Sequence, residues 1–163
     1  MTKAIQNLIE NRYIEEDPAA DAEIASRWRA AVISYDDSRR GLSPASQVTL
    51  AYQGALQGAI AVVRAAGYRL RSSAGGHHYL TFATVAALEH PVLSPLARGM
   101  SDRRRERHDS VYHWNQEPGE ERATHLDAVH VDSSARQFLT AAHAWRCAAR
   151  PSLATQLEPP PQG

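Results

Sequence analysis

Residues 43–67 read SPASQVTLAYQGALQGAIAVVRAAG, and this stretch decides the fold class. Ser43 can cap a helix, and Pro44 suits its first position because the missing N–H has no partner there anyway. Alanine, leucine and valine fill the interior, so the spacing predicts a long helix over 44–66 with Leu50, Leu56, Ile60 and Val63 as its buried stripe. Gly67 is the stop. Gly54 and Gly58 stand four apart on one face. In a helix of this composition that spacing signals the close approach of a neighbouring helix, not catalysis.

The same punctuation recurs on both sides. Ile5, Leu8, Ile9 and Tyr13 give a short amphipathic helix over 3–14. Asp17-Pro18 is read as the start of a second, running through Ile24, Trp28, Ala31 and Tyr35 to Gly41. Tyr68 to Ser73 can be extended, and Ser72 to Gly76 is a loop. A short helix follows over Tyr79 to Leu88, then His90-Pro91 interrupts. Leu93 to His113 is helical, Pro118-Gly119 ends it, and Glu120 to Ala149 is the last helix, carrying Leu126, Val129, Phe138, Leu139, Ala142 and Trp145. Strand-like alternation is nearly absent. The expectation is an all-α, antiparallel bundle of four to six helices, one domain over 1–150, with a flexible Pro-rich tail over 151–163.

Composition narrows the function. The chain has 163 residues, is 43% hydrophobic and carries no formal net charge. A general nucleic-acid coat would show a basic excess, so any such contact is local. Glu10 to Glu23 is mostly acidic and Arg98 to Arg107 mostly basic. Lys3 is the one lysine, so arginine supplies the positive charge; a GC-rich genome gives the same bias. Cys147, the single cysteine, excludes an intrachain disulfide and a cysteine-based metal site. The first residues lack a signal peptide's apolar core, and no apolar run reaches membrane-spanning length. The reading is a cytoplasmic protein.

The chemistry concentrates in Arg103-Arg104-Arg105-Glu106-Arg107-His108-Asp109-Ser110-Val111-Tyr112-His113. Four arginines and two histidines fall within eleven residues. Clustered guanidinium groups clamp phosphate through paired donors, and a nearby imidazole moves a proton near neutral pH. Those are the parts needed to cleave RNA without a metal. A base takes the 2′-OH proton, a cation steadies the phosphorane, and an acid protonates the leaving 5′ oxygen, giving a 2′,3′-cyclic phosphate. Arg107 and His113 point to nearly opposite sides of an ideal helix, so they meet only if the helix unwinds or a second subunit completes the site. The plainer reading is a solvated helix face with Asp102 and Glu106 offsetting the arginines. His77-His78 read as loop-capping or packing residues, or as a contribution from an opposite cleft wall. Metal ligation lacks a third residue at suitable spacing. His125 and His130 read as surface residues, and Trp28, Trp114 and Trp145 as core or interface aromatics.

Several segments resemble the HEPN family. They are Ala51-Tyr52-Gln53-Gly54-Ala55-Leu56, Val62-Val63-Arg64-Ala65-Ala66-Gly67-Tyr68, Gly76-His77-His78-Tyr79, and Arg103 to Tyr112, spread over about 20–148. The resemblance implies a helical bundle that dimerises by pairing its motif helices. In active members paired Arg and His residues form a metal-independent endoribonuclease site; such proteins act as toxins, in antiphage defence or in RNA processing. By that resemblance Arg107, His113 and His108 are the candidate catalytic residues, and Arg103, Arg104 and Tyr112 contact substrate. In one register Arg107 pairs with His113; in the other Arg103 pairs with His108. No cofactor or metal is implied. The implied partners are RNA or a nucleotide, a second copy of the chain, and an antitoxin or nucleotidyltransferase. The chain departs from the family by having His108 where asparagine is usual, and Tyr112 can fall where active members have histidine. An inactive HEPN-like dimer that binds nucleotide, RNA or a protein is therefore the alternative.

Overall fold

The computed structural model describes residues 1–72, 75–103 and 123–162. Its centre is the helix over Pro44–Ala65 (α3). Ser43 caps it, its side chain accepting from the Ser46 N–H at 3.4 Å, with Pro44 in the first turn. Gly67, at φ +87°, turns the chain out at the other end. The expected single stripe is too narrow. Leu56 and Val63 are buried, but so are Val48, Ala51, Tyr52, Ala55, Ala59, Ala61 and Val62, because helices cover α3 on more than one side. Leu50 and Ile60 are only half-buried.

The other helices among the described residues are α1 (Lys3–Glu10), α2 (Asp21–Ser38), α4 (His77–Ala87), α5 (Leu93–Asp102) and α6 (His125–Ala149). The chain is thus mostly helical, as expected. α2 and α6 pack on α3, and α4 and α5 pack on each other and against the same core. Trp28, Tyr35, Tyr52, Phe82 and Phe138 are fully buried. Tyr52, Phe82 and Phe138 form a chain of edge contacts with centroids 5.8 and 5.6 Å apart. Each contact of this kind adds about 0.5–1.5 kcal/mol beyond the area it buries.

The two glycines of α3 explain how α2 and α6 come so close. A Cβ on Gly54 would lie 3.0 Å from the Ala31 carbonyl oxygen and from the backbone nitrogen of Tyr35, both on α2. A Cβ on Gly58 would lie 2.5 Å from a methyl of Leu139 on α6.

Several sequence expectations meet a different structure. Ile14 does not end the first helix; Ile14–Glu16 (β1) pairs antiparallel with Tyr68–Leu70 (β2), Ile14 opposite Leu70. Asp17-Pro18 does not start α2, which begins at Asp21 without a side-chain cap. The Asp17 N–H extends the ribbon by donating to the Gly67 carbonyl at 2.8 Å, and its carboxylate accepts from Arg64 at 3.0 Å and pairs with Arg69 at 3.2 Å. Leu126 and Val129 are exposed, whereas Phe138, Leu139 and Ala142 of the same helix are buried. α6 starts at a capping box, Thr124 to Asp127, in which each side chain satisfies the other's backbone N–H. Residues 151–162, read as a mobile tail, lie along the bundle in the structure. A short 3₁₀ turn, Pro151–Leu153, buries Leu153, and Leu157 is buried beyond it. The Trp28 indole N–H donates to the Glu158 carbonyl at 2.7 Å, and Arg29 pairs with the Glu158 carboxylate at 2.8 Å.

One buried group is anomalous. Arg146 on α6 is 0% exposed, and none of its three guanidinium nitrogens has a hydrogen-bond partner among the described residues. Its Cζ sits 3.8 Å over the Trp28 ring. Burial lowers its pKa to about 9, which leaves it charged at neutral pH. A cation–π contact of about 2 kcal/mol is smaller than the several kcal/mol that desolvating an ion costs.

Three outcomes follow from this packing. Gly54→Val is expected to lower the unfolding free energy by about 1–3 kcal/mol in urea titration, because the α2 backbone must move. Arg146→Met, of similar reach and without charge, is expected to leave stability unchanged or raise it by about 1–4 kcal/mol; a marked loss contradicts the reading of Arg146 as an uncompensated charge. The third concerns pH. Glu23 is held below the usual carboxylate range by its bond to Arg64, and Asp127 by its bonds to Thr124. Carboxyls depressed on folding add stability above their unfolded pKa, near 4, and lose it as pH falls through the folded value. Stability measured against pH is therefore expected to fall below about pH 4, with Asp127→Asn reducing that fall.

Candidate functional site

The Arg/His run begins where α5 ends. Leu93, Ala97 and Met100 seat α5 in the core, and Arg103 follows as its half-buried C-cap, its backbone N–H donating to the Gly99 carbonyl at 3.2 Å. Arg103 is close enough to the start of α6 for its charge to help depress Asp127, after the two Thr124 bonds and against the opposing effect of burial. The remaining sequence candidates, Arg104, Arg107, His108, Tyr112 and His113, lie outside the described residues. So does the choice between the two registers.

The described residues form a cleft that the sequence reading did not assemble. Its volume is about 740 Å³, within the range of small-molecule sites. Gln53, Gln57, Ile60 and Arg64 recur every three or four residues on α3, so they share one face of that helix and form the floor. Glu23 and Arg27, one turn apart on α2, form one wall; His77, His78 and Thr81 of α4 also line the cleft. Asp17, Pro18, Arg69 and Leu70 from the ribbon complete it.

The ribbon side of the cleft is a closed charge network. Arg64 is 9% exposed. It donates to the Glu23 carboxylate at 2.7 and 3.3 Å, to the Asp17 carboxylate and carbonyl, each at 3.0 Å, and to the Tyr68 carbonyl at 3.1 Å. These bonds raise its pKa, the bond to Glu23 most of all. Arg69 is taken up by Glu15 at 2.6 Å and Asp17 at 3.2 Å. One residue thus ties α2, α3 and the ribbon together.

The α4 end is built differently. Gly76 takes the left-handed conformation, φ +72°, and precedes the helix without a side-chain cap. His77 and His78 occupy the first turn. His77 is exposed and its carbonyl accepts from Thr81 at 2.7 Å. His78 is half-buried, with its ring centroid 6.2 Å from that of Tyr52. The adjacent histidines therefore face different surroundings, and both line the cleft. Among the described residues no group of three or more His, Cys, Asp or Glu side chains is placed to hold a metal ion. His125 and His130 are exposed.

Cys147, half-buried, has its sulfur 3.9 Å from each ring nitrogen of His143. That equal distance means neither nitrogen points squarely at the sulfur, which fits packing better than activation. Among the described residues no helix is long and apolar enough to cross a membrane.

Sequence reasoning missed Arg27, Gln53, Gln57 and Arg64 as site residues. The available signal was the polar Gln53/Gln57 pair, four apart in an otherwise apolar helix. Comparison with protein-family models, with curated proteins and with solved structures returned no match.

Proposed function

We propose that the chain is a metal-independent endoribonuclease of the HEPN type, acting as a toxin or defence effector. The observation that carries the reading is the Arg103–His113 run, placed in sequence directly after α5 of a mostly helical protein. In this reading Arg107 steadies charge on the scissile phosphate, and His113 moves the proton between the 2′-OH and the leaving 5′ oxygen. His108 takes that part in the shorter register, paired with Arg103. Arg104 and Tyr112 hold substrate. A second copy of the chain brings the matching motif, because one ideal helix cannot aim Arg107 and His113 at a common atom. The buried anchoring of α5 through Leu93, Ala97 and Met100 supports the reading by giving the run a rigid base.

A second reading keeps the fold and drops the chemistry: a silent HEPN-like dimer that binds nucleotide, RNA or a protein partner. The identity of His108 and Tyr112 favours it, since active relatives carry asparagine and histidine at such positions.

RNA incubated with the purified chain in EDTA separates the two. The enzyme reading expects fragments ending in 2′,3′-cyclic phosphate, with Arg107→Ala and His113→Ala each slowing cleavage by about 10²-fold or more. Absence of cleavage, or cleavage indifferent to both substitutions, contradicts it. Retained RNA binding that Arg107→Ala weakens, without turnover, is the outcome of the second reading.

A further inference from the structure

We infer that the cleft between α2, α3, α4 and the ribbon binds a small organic anion: a carboxylate or phosphate monoester on a compact apolar body. The inference is independent of RNA cleavage and stands or falls without it.

The charge distribution sets the anionic end. Three arginines line the cleft, but two are spoken for: Arg64 by Glu23 and Asp17, and Arg69 by Glu15 and Asp17. Arg27 is exposed and makes no ion pair or hydrogen bond among the described residues. Its charge helps hold the Glu23 carboxyl low, behind the stronger effect of Arg64, yet Arg64 already occupies both Glu23 oxygens. A cation therefore remains on the cleft wall with its donors uncommitted. The first turn of α4 adds backbone N–H groups that no helix carbonyl reaches, with no acidic residue in that turn and no capping side chain. His77 and His78 stand on that turn and line the cleft. An anion in the cleft is favoured by Arg27 and by the helix end.

The floor sets the rest of the ligand. Leu56, Ile60, Val63 and Leu70 give it an apolar strip. Asp17 and Glu23 on the ribbon side repel a second negative group. The ligand is thus anionic at one end and apolar at the other.

The test uses the full chain and four probes of similar size: phenyl phosphate, 4-hydroxybenzoate, 4-hydroxybenzamide and tyramine. Binding is followed by NMR, including the ring resonances of His77 and His78. The two anions separate phosphate from carboxylate, and the neutral and cationic probes report on charge. The expected result is saturable binding of at least one anion near or below about 1 mM, with the neutral and cationic probes at least about tenfold weaker. Bound anion should shift the ring resonances of His77 and His78, and Arg27→Ala should weaken anion binding about tenfold. Arg40→Ala, an exposed arginine paired with Asp37 and outside the cleft, should change nothing. Equal binding of all four probes, binding of neither anion, or anion binding untouched by Arg27→Ala overturns the inference.

Discussion

Helix α3 is enclosed closely because Gly54 and Gly58 lack a Cβ. A Cβ at Gly54 would press on the α2 backbone at 3.0 Å, and one at Gly58 would push aside a methyl of Leu139 of α6 at 2.5 Å. Glycine in a helix interior costs roughly 0.5–1 kcal/mol against alanine, and the contacts it permits outweigh that. Trp28, Ala31 and Tyr35 of α2 and Phe138, Leu139 and Ala142 of α6 all become fully buried. With apolar transfer worth about 25 cal/mol per Å², several large side chains enclosed around one helix dominate the local balance. The glycines also decide where the cleft lies. They turn α3 so that its buried faces meet α2 and α6, leaving Gln53, Gln57, Ile60 and Arg64 on the remaining face.

Charge then does two different things in the bundle. Arg64 is a cation with its carboxylate and carbonyl partners in place, joining elements far apart in sequence. Removing one side of such an arrangement leaves the other unpaired, which is why it holds the ribbon against α2 and α3. Arg150 acts similarly at the other end of the chain, reaching Asp21 at 3.0 Å and the Ala19 and Ala65 carbonyls at 2.9 and 3.1 Å. Arg146 has no such set. Its aromatic contact with Trp28 links α6 to α2, and the same Trp28 is tied to the C-terminal segment through Glu158. The segment over 151–162 therefore belongs to the packing of the α2–α6 seam.

Much of the bundle was legible in the sequence. The ends of α3 follow from Ser43-Pro44 and Gly67, and its close packing from the Gly54/Gly58 spacing. Where reading failed, a distant partner had taken the residue. Asp17 has the chemistry of a cap, but Arg64 and Arg69 claim its carboxylate and the ribbon claims its N–H. The start of α6 was drawn too early because Pro118-Gly119 is a strong break, while Thr124 and Asp127 carry their own signal three residues apart. The tail has the composition of a linker, yet Leu153 and Leu157, four apart, supply the apolar contacts that seat it. The cleft was illegible because five separate segments line it, and only the Gln53/Gln57 pair hints at it locally. The Arg/His run is legible as chemistry, and among its candidates Arg103 is the one whose setting the structure describes.

The central structural claim is that α3 is the enclosed helix around which the other elements, the ribbon and the cleft are arranged. Amide hydrogen exchange on the full chain tests it most directly, because exchange reports local opening residue by residue. The amides of 51–63 are expected to be the slowest in the molecule, exchanging only when the whole chain unfolds. Exchange at those positions as fast as in α1 or in the ribbon would contradict it.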